Sequence, residues 1–179
     1  MGATSGVSGY GGGVILTTRR LTLVACPVEV AQALLGEGAE RILGAAVPSG
    51  WPSPELTGIL PLYLQELLHD PSALGWGIWI PIDRGANAVV GDAGFKGRPA
   101  PDGTVEIGYG TAPAFRGRGY ATEAVQALIG WAFTQPAVGQ VVAECVPENA
   151  ASIRVLAKAG FRCTSAQAGS LRWARSRRI

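Results

Sequence analysis

The clearest hydrophobic pattern in the chain lies in residues 120–134, where apolar positions recur at steps of three and four residues. That spacing places them on one face of a helix with 3.6 residues per turn. The positions are Ala121, Ala124, Val125, Leu128, Ile129, Ala132 and Phe133. Residues 105–111 alternate and are rich in β-forming side chains, so they predict a strand. Two glycines lie in the segment between them, residues 116–121, so the local order is strand, glycine loop, helix.

The rest of the chain predicts a mixed α/β protein. Alternating or apolar runs predict further strands at residues 14–26, 75–83, 88–96, 140–146, 161–168 and 170–175. Helical spacing predicts helices at residues 27–35, 55–69 and 149–160, with a short helical stretch around 40–43. In the helix at 55–69 we expect the inner side to hold Leu60, Leu64, Leu67 and Leu68. In the last helix we expect Asn149 as the N-cap and an inward face made of Ile153, Leu156 and Ala157.

The glycine loop has the chemistry of an anion site. The first N–H groups of a helix lack intrahelical acceptors, and the aligned peptide dipoles place about half a positive charge there. Gly117 and Gly119 let an anion approach those amides, and Arg116 and Arg118 add positive charge. The loop lacks the GxxxxGK[ST] spacing of nucleoside triphosphatases and the GxGxxG spacing of dinucleotide-binding folds. The ligand that this chemistry favours is a pyrophosphate.

Composition narrows the class of protein and its partners. Of 179 residues, 47% are hydrophobic and 16% are charged, which is typical of one compact domain. A net charge of +2 gives no support for nucleic acid binding. Three cysteines far apart in the sequence favour reduced thiols in a cytoplasm. Because His69 is the single histidine and the cysteines form no C-x-x-C pair, the sequence predicts no metal site. No apolar run approaches the ~20 residues of a membrane helix, and we expect residues 1–13 to be a flexible leader.

Two motifs resemble one known family. Arg116-x-x-Gly119-x-Ala121 is similar to the [QR]-x-x-G-x-[GA] signature of the GNAT superfamily of acetyl-CoA-dependent N-acetyltransferases. The segments 149–152 and 156–161 resemble the N-x-x-S and L-x-K-x-G-F motifs of its RimJ/RimL branch, which includes the ribosomal-protein N-terminal acetyltransferases. Residues 18–23 also resemble that branch's first strand. The similarity covers roughly residues 14–175, and two separated motifs in the right order make a chance match improbable.

The resemblance implies a fold, a reaction and a set of cofactor contacts. The fold is an α/β GNAT domain at residues 14–179, with a mixed, mostly antiparallel seven-stranded sheet, about four flanking helices and splayed central strands. The reaction moves acetyl from acetyl-CoA to a primary amine. The pyrophosphate is expected on the amides of Arg116, Gly117, Arg118, Gly119, Tyr120, Ala121 and Thr122. The pantetheine arm is expected along Tyr109, Gly110 and Thr111, with Asn149 and Ser152 beside it.

Two catalytic roles need groups that the sequence leaves open. Glu106 and Glu144 each occupy a place in the sequence that resembles the place of the general base in some members of the family. A glutamate on a strand is also typical of the strand's solvated face, so each has a structural alternative. Many members use a tyrosine as the acid where this chain has Leu156, so the proton for the thiolate comes from Ser152 or from solvent. Trp51, in a proline-rich loop, is either a wall of the acceptor pocket or a plug over the core.

Three functions follow from these residues. The first is an N-acetyltransferase acting on a protein N-terminus or a small-molecule amine. The second is a non-catalytic acyl-CoA sensor or interaction module, suggested by Leu156 and the unassigned base. The third is a different nucleotide-binding α/β protein. We expect neither nucleic acid nor membrane as a partner, and we leave a homodimer open.

Overall fold

The computed structural model describes residues 13–167 and 169–177. Of the expected leader, residues 1–13, all but Gly13 lie outside the described residues. The strands are β1 Ile15–Thr17, β2 Leu21–Ala25, β3 Ile78–Asp83, β4 Ala88–Val89, β5 Gly91–Phe95, β6 Thr104–Thr111, β7 Gln140–Cys145, β8 Arg162–Gln167 and β9 Ser170–Ser176. The α-helices are α1 Val28–Leu35, α2 Ala39–Leu43, α3 Pro54–His69, α4 Tyr120–Thr134 and α5 Ala150–Lys158.

The strands form one sheet in the order β1-β2-β3-β5-β6-β7-β9-β8, with β4 paired to β3. All neighbours are antiparallel except β6 and β7, which are parallel. Seven strands were predicted and nine are present in the described residues, because two predicted strands are each broken in two. The first turns back at Thr18, whose hydroxyl accepts a hydrogen bond from the Leu21 amide at 2.9 Å. The third breaks at Val90, before the sheet continues at Gly91.

Helices pack on both faces of the sheet. One core cluster joins α4 and α5 to residues such as Val105 and Ile107 of β6. The other joins α1 and α3 to residues such as Ile80 and Val89. Each face of the sheet is therefore apolar over much of its area, which explains why several strands read as nearly continuous apolar runs.

Two predicted helix faces need correction. Leu68 is 61% exposed, and α3 instead buries Leu56 and Tyr63 beside Leu60 and Leu67. This helix is rich in leucine, so its apolar residues extend around more than one face. Periodicity alone therefore does not identify which of these faces is buried. Ala157 is exposed on α5, whereas Leu156 is fully buried. The predicted N-cap is confirmed, since the Asn149 side chain accepts from the Ser152 amide at 2.9 Å.

The predicted splay lies between β6 and β7. Their parallel ladder runs only from Thr104 opposite Gln140 to Glu106 opposite Val142. Beyond Glu106, β6 stays paired with β5 as far as Thr111, whereas β7 stays paired with β9. Among the strands of the described residues, none therefore lies beside one edge of β6 from residue 107 to residue 111. Unpaired ladder groups at such an edge can hydrogen-bond an extended ligand.

Candidate active site

The glycine loop ends at the N-terminus of α4. Gly117 and Gly119 have φ values of 74° and 79°, in the left-handed region where a side chain costs about 1–2 kcal/mol. Gly119 is the N-cap residue of α4, and no side chain caps that end of the helix. The first amides of a helix have no intrahelical acceptors, so here they are available to an anion.

The loop is held in place by the turn between β1 and β2. The Glu123 carboxylate, in the first turn of α4, accepts hydrogen bonds from the Thr18 hydroxyl at 2.6 Å and the Arg20 amide at 2.8 Å. It also accepts from Arg20 Nε at 2.7 Å, while Arg20 Nη1 donates to the Arg118 carbonyl at 3.0 Å. Partial burial alone would raise the pKa of Glu123, but these hydrogen bonds and the Arg20 charge lower it below its ordinary value. The ion pair between Arg20 and Glu123 therefore anchors the loop to a turn that lies about 100 residues earlier in the sequence.

A cavity of about 520 Å³ joins this loop to the free edge of β6. Every residue that the sequence predicted for cofactor contact lines it, except Arg118. The Arg118 guanidinium instead lies 5.6 Å from the centre of the Phe115 ring. The lining residues from the predicted set are Tyr109, Gly110, Thr111, Arg116, Gly117, Gly119, Tyr120, Ala121, Thr122, Asn149 and Ser152.

Two basic residues of the cavity were missed in the sequence. Arg154 and Lys158 lie one helical turn apart on α5 and line the wall opposite the loop. Together with Arg116 they place three cations around the cavity, which suits a phosphate-rich ligand. Their i, i+4 spacing was the available signal, but it becomes specific only once α5 is known to face the start of α4.

Tyr109 and Ser152 form a hydrogen-bonded pair across the splay. The Tyr109 hydroxyl lies 2.7 Å from Ser152 Oγ and also donates to the Ser152 carbonyl at 3.3 Å. Burial raises the pKa of Tyr109 above its ordinary value, so its hydroxyl stays protonated at neutral pH. Sequence reasoning used only the backbone of Tyr109 and missed its side chain. The two residues bring hydroxyl groups to the cavity, whereas Leu156 is fully buried and brings none.

The two predicted bases lie on the neighbouring central strands β6 and β7, and both side chains are partly exposed. The Glu106 side chain is 30% exposed and ion-paired with Lys96. The Glu144 side chain is 47% exposed, and an Arg172 nitrogen lies 4.0 Å from its carboxylate. Neither is among the described residues that line the cavity.

A third carboxylate, not predicted from the sequence, lies next to Gly110. Asp92 is opposite Gly110 in the β5–β6 ladder, and its Oδ1 accepts from Trp51 Nε1 at 2.8 Å. Burial raises the pKa of Asp92, and the negative charge of Glu55 adds to the rise, against the opposing effect of the Trp51 hydrogen bond. Trp51 itself is 5% exposed and packs into the core beneath α3, so it reaches the site through Asp92.

Potential metal ligands are scattered in the described part of the chain. Residues 13–167 and 169–177 contain no cluster of three or more potential metal ligands. His69 is exposed at the end of α3. No cysteine or histidine is among the described residues that line the cavity. In the same part of the chain, no helix combines the length and apolar character that crossing a bilayer requires.

Comparison with known proteins identifies the family. The acetyltransferase (GNAT) domain model matches residues 55–162. The uncharacterized N-acetyltransferase YjdG of Bacillus subtilis (strain 168) is 31% identical over 150 residues, which span 83% of this chain and 89% of YjdG.

Solved structures share the fold. RimL, a ribosomal L7/L12 alpha-N-protein acetyltransferase, superposes with a TM-score of 0.66 at 19% identity, over 97% of this chain and 99% of RimL. The microcin C7 self-immunity acetyltransferase MccE, solved with acetyl-CoA and AMP, superposes with a TM-score of 0.62 at 17% identity, over 89% and 93% of the two chains. At these identities the two structures show that the chain has the same fold. The chain belongs to the GNAT acetyltransferase family, and it is an acetyl-CoA-dependent acetyltransferase.

Proposed function

We propose that this enzyme transfers the acetyl group of acetyl-CoA directly to a primary amine. The supporting observation is the cavity that runs from the N-terminus of α4 to the unpaired edge of β6, where the sheet opens after Glu106. One end of this cavity suits a pyrophosphate, and the other suits an extended pantetheine arm. The thioester then lies in the gap between β6 and β7, where an amine can reach it. Residues 14–179 form one such domain in this proposal, supported by the continuous sheet from β1 to β9.

The cofactor contacts follow from the cavity's two walls. The amides of residues 116–122 and the Arg116 guanidinium bind the pyrophosphate, and Arg118 contributes long-range positive charge from the loop. Arg154 and Lys158 add charge from α5. The backbone of residues 109–111 and the Asn149 side chain border the pantetheine arm.

The transfer step needs one proton acceptor and one proton donor. The amine nitrogen attacks the thioester carbonyl carbon, the carbon–sulfur bond breaks, and its electron pair leaves on the CoA sulfur. A carboxylate takes the proton that the amine loses, and Glu106 and Glu144 are the bases that the resemblance implies. Ser152, which lies against the Tyr109 hydroxyl, or water returns a proton to the thiolate. The enzyme supplies mainly positioning and proton transfer.

The acceptor is an amine that is cationic in solution. On the side of the sheet away from α4, Glu55 and Asp92 lie close enough to interact and give local negative charge that attracts an ammonium ion, whereas Glu106 and Glu144 each have a cationic neighbour. A protein N-terminus fits this description, and the neighbour RimL acts on one by its name. A small-molecule amine fits it as well. Family membership favours this enzymatic function over a non-catalytic sensor.

The test is release of free CoA thiol from acetyl-CoA in the presence of peptides with varied N-termini, amino acids, polyamines and aminoglycosides. We expect release that depends on one class of amine and saturates with its concentration. Binding of CoA without amine-dependent release across the whole panel would contradict the proposal and support the sensor. Tight binding of ATP or NAD without response to CoA would support a different nucleotide-binding protein.

A further inference from the structure

The side of the splay opposite α4 offers an open approach to the thioester. Val105 and Ile107 of β6 point into the core beneath α4, so the alternating positions Glu106, Gly108 and Gly110 face the other side. A Cβ built on Gly108 would meet no atom within 4 Å. The middle of this strand face is therefore bare, and an acceptor can reach the splay there.

Asp92 lies at the edge of this bare surface. A Cβ built on Gly110 would lie 3.2 Å and 3.3 Å from the two carboxylate oxygens of Asp92, so the carboxylate rests against the Gly110 backbone. Gly110 also lines the cofactor cavity. Along the strand, Gly110 is roughly 7 Å from Gly108, at about 3.4 Å per residue. Asp92 thus contacts a residue that lines the cofactor cavity, and it lies beside the open strand face by which an acceptor can reach the splay.

The environment of Asp92 differs from that of the two glutamates. Glu106 is paired with the Lys96 ammonium and Glu144 lies 4.0 Å from an Arg172 nitrogen, so each of these carboxylates already has a cationic neighbour. Within residues 13–167 and 169–177, the donor to the Asp92 carboxylate is the neutral indole of Trp51. This contact leaves the second carboxylate oxygen of Asp92 for an incoming N–H group.

We propose that Asp92 is the catalytic base, which accepts the proton from the acceptor amine as its nitrogen attacks the thioester. This inference rests on the proposed acetyl transfer to an amine. The N–C bond forms and the C–S bond breaks, while the amine proton moves to Asp92 and the thiolate leaves to be protonated by Ser152 or water. Burial favours the assignment, since a raised pKa brings a carboxylate closer to that of the amine it must deprotonate.

The surrounding charges set the expected pH dependence. The elements around Asp92 carry several titratable groups, and Glu55 is the one whose charge acts on the pKa of Asp92. The groups are Glu55, Tyr63, Glu66 and His69 on α3, Asp83 on β3, Glu106 with its partner Lys96 and Tyr109 on β6, and Glu144 with its neighbour Arg172 and Cys145 on β7. Glu55 raises the pKa of Asp92, and the Trp51 hydrogen bond lowers it. Loss of that hydrogen bond in Trp51→Phe therefore raises the pKa further. The acidic limb of kcat/KM should move to higher pH.

The first variant to test is Asp92→Asn. The amide oxygen of asparagine still accepts from Trp51, so the loop stays in place. Because burial raises the pKa of Asp92, its ionised carboxylate destabilises the folded protein at pH 7. Removing that charge should therefore not lower the melting temperature at pH 7. We expect kcat to fall at least about 100-fold, the usual lower bound for loss of a general base. The CoA dissociation constant should stay within about twofold of wild type, and Asp102→Asn, in an exposed turn, serves as the control.

The same assay on Glu106→Gln and Glu144→Gln separates the candidates. An active Asp92→Asn, with either glutamine variant reduced 100-fold, would overturn the assignment. So would an Asp92→Asn that loses activity and stability together while Trp51→Phe leaves the acidic limb unmoved, because that result describes a structural residue. A wild-type enzyme that acetylates no amine would contradict the proposed function itself, whereas an active wild type with an active Asp92→Asn contradicts this inference alone.

Discussion

The ion pair between Glu123 and the β1–β2 turn predicts a pH-dependent loss of stability in Glu123→Gln. The carboxylate accepts three hydrogen bonds of 2.6 to 2.8 Å from Thr18 and Arg20. Its side chain is 17% exposed and that of Arg20 is 29% exposed, so solvent screens the pair only in part. Glutamine keeps one oxygen for Thr18 and the Arg20 amide, but it turns an NH₂ group toward the guanidinium.

The magnitude follows from these contacts. Loss of one hydrogen bond between charged groups costs about 1.5–3 kcal/mol, and the two that remain become neutral and weaker. Allowing for partial exposure, we expect the free energy of unfolding to fall by about 2 kcal/mol at pH 7. For a chain of this size the melting temperature should fall by about 4–8 °C.

The pH dependence gives the sign. The pKa of Glu123 is lowered in the folded state, so its contribution is complete above the ordinary glutamate pKa of about 4.3 and is lost as pH falls through the folded value. Urea unfolding of wild type and Glu123→Gln from pH 7 downward should show the difference shrinking below about pH 4.3. The CoA dissociation constant should rise a few-fold, because Arg20 also holds the Arg118 carbonyl.

Glu29→Gln is the matched control. Glu29 is an exposed glutamate in the first turn of α1, so its replacement also removes a charge from a helix N-terminus. A Glu123→Gln protein no less stable than Glu29→Gln at pH 7 would refute the reasoning. A loss that stays constant with pH would refute it too, since it would come from packing.

Three other predictions address the site and the thiols. Burial raises the pKa of Cys26 to about 12, so a thiol reagent at pH 8 should label this residue only after unfolding. The same reagent should label Cys145 and Cys163 in the folded protein, and rapid labelling of all three cysteines would contradict the prediction. Ser152→Ala should lower kcat roughly tenfold with little change in the CoA dissociation constant, and unchanged kcat would assign the proton to water. Gly119→Ala places a side chain at a φ of 79° and should raise the CoA dissociation constant roughly tenfold. Gly130→Ala, at a solvent-exposed position in the middle of α4, should leave the constant unchanged, and equal CoA binding by the two variants would contradict the loop's role.

Local patterns predicted the elements around the cavity well. The bounds of α4 and the capping of α5 by Asn149 depend on helical periodicity and on side-chain contacts within one turn. The order of β6, glycine loop and α4 follows from neighbouring residues in the chain. Such features are encoded within about ten residues of sequence, where propensity and turn chemistry are informative.

The acceptor side depends on contacts between distant residues, which no local pattern contains. Trp51 and Asp92 are 41 residues apart in sequence, and Tyr109 and Ser152 are 43 apart. The close packing of β5 on β6 requires Gly91, where a Cβ would lie 2.2 Å from the Gly110 carbonyl oxygen. In the sequence these residues read as an ordinary strand and a loop, and their chemistry becomes visible only when the sheet brings them together.

The most direct test of the account follows an isotope-labelled acetyl group from acetyl-CoA after incubation with enzyme and the amine that supports thiol release. Mass spectrometry and NMR would locate the label. The account predicts that the label appears as an amide on the amine, in an amount equal to the thiol released, with none attached to the enzyme during turnover. Label recovered as free acetate, or trapped covalently on the enzyme, would contradict direct transfer from acetyl-CoA to an amine.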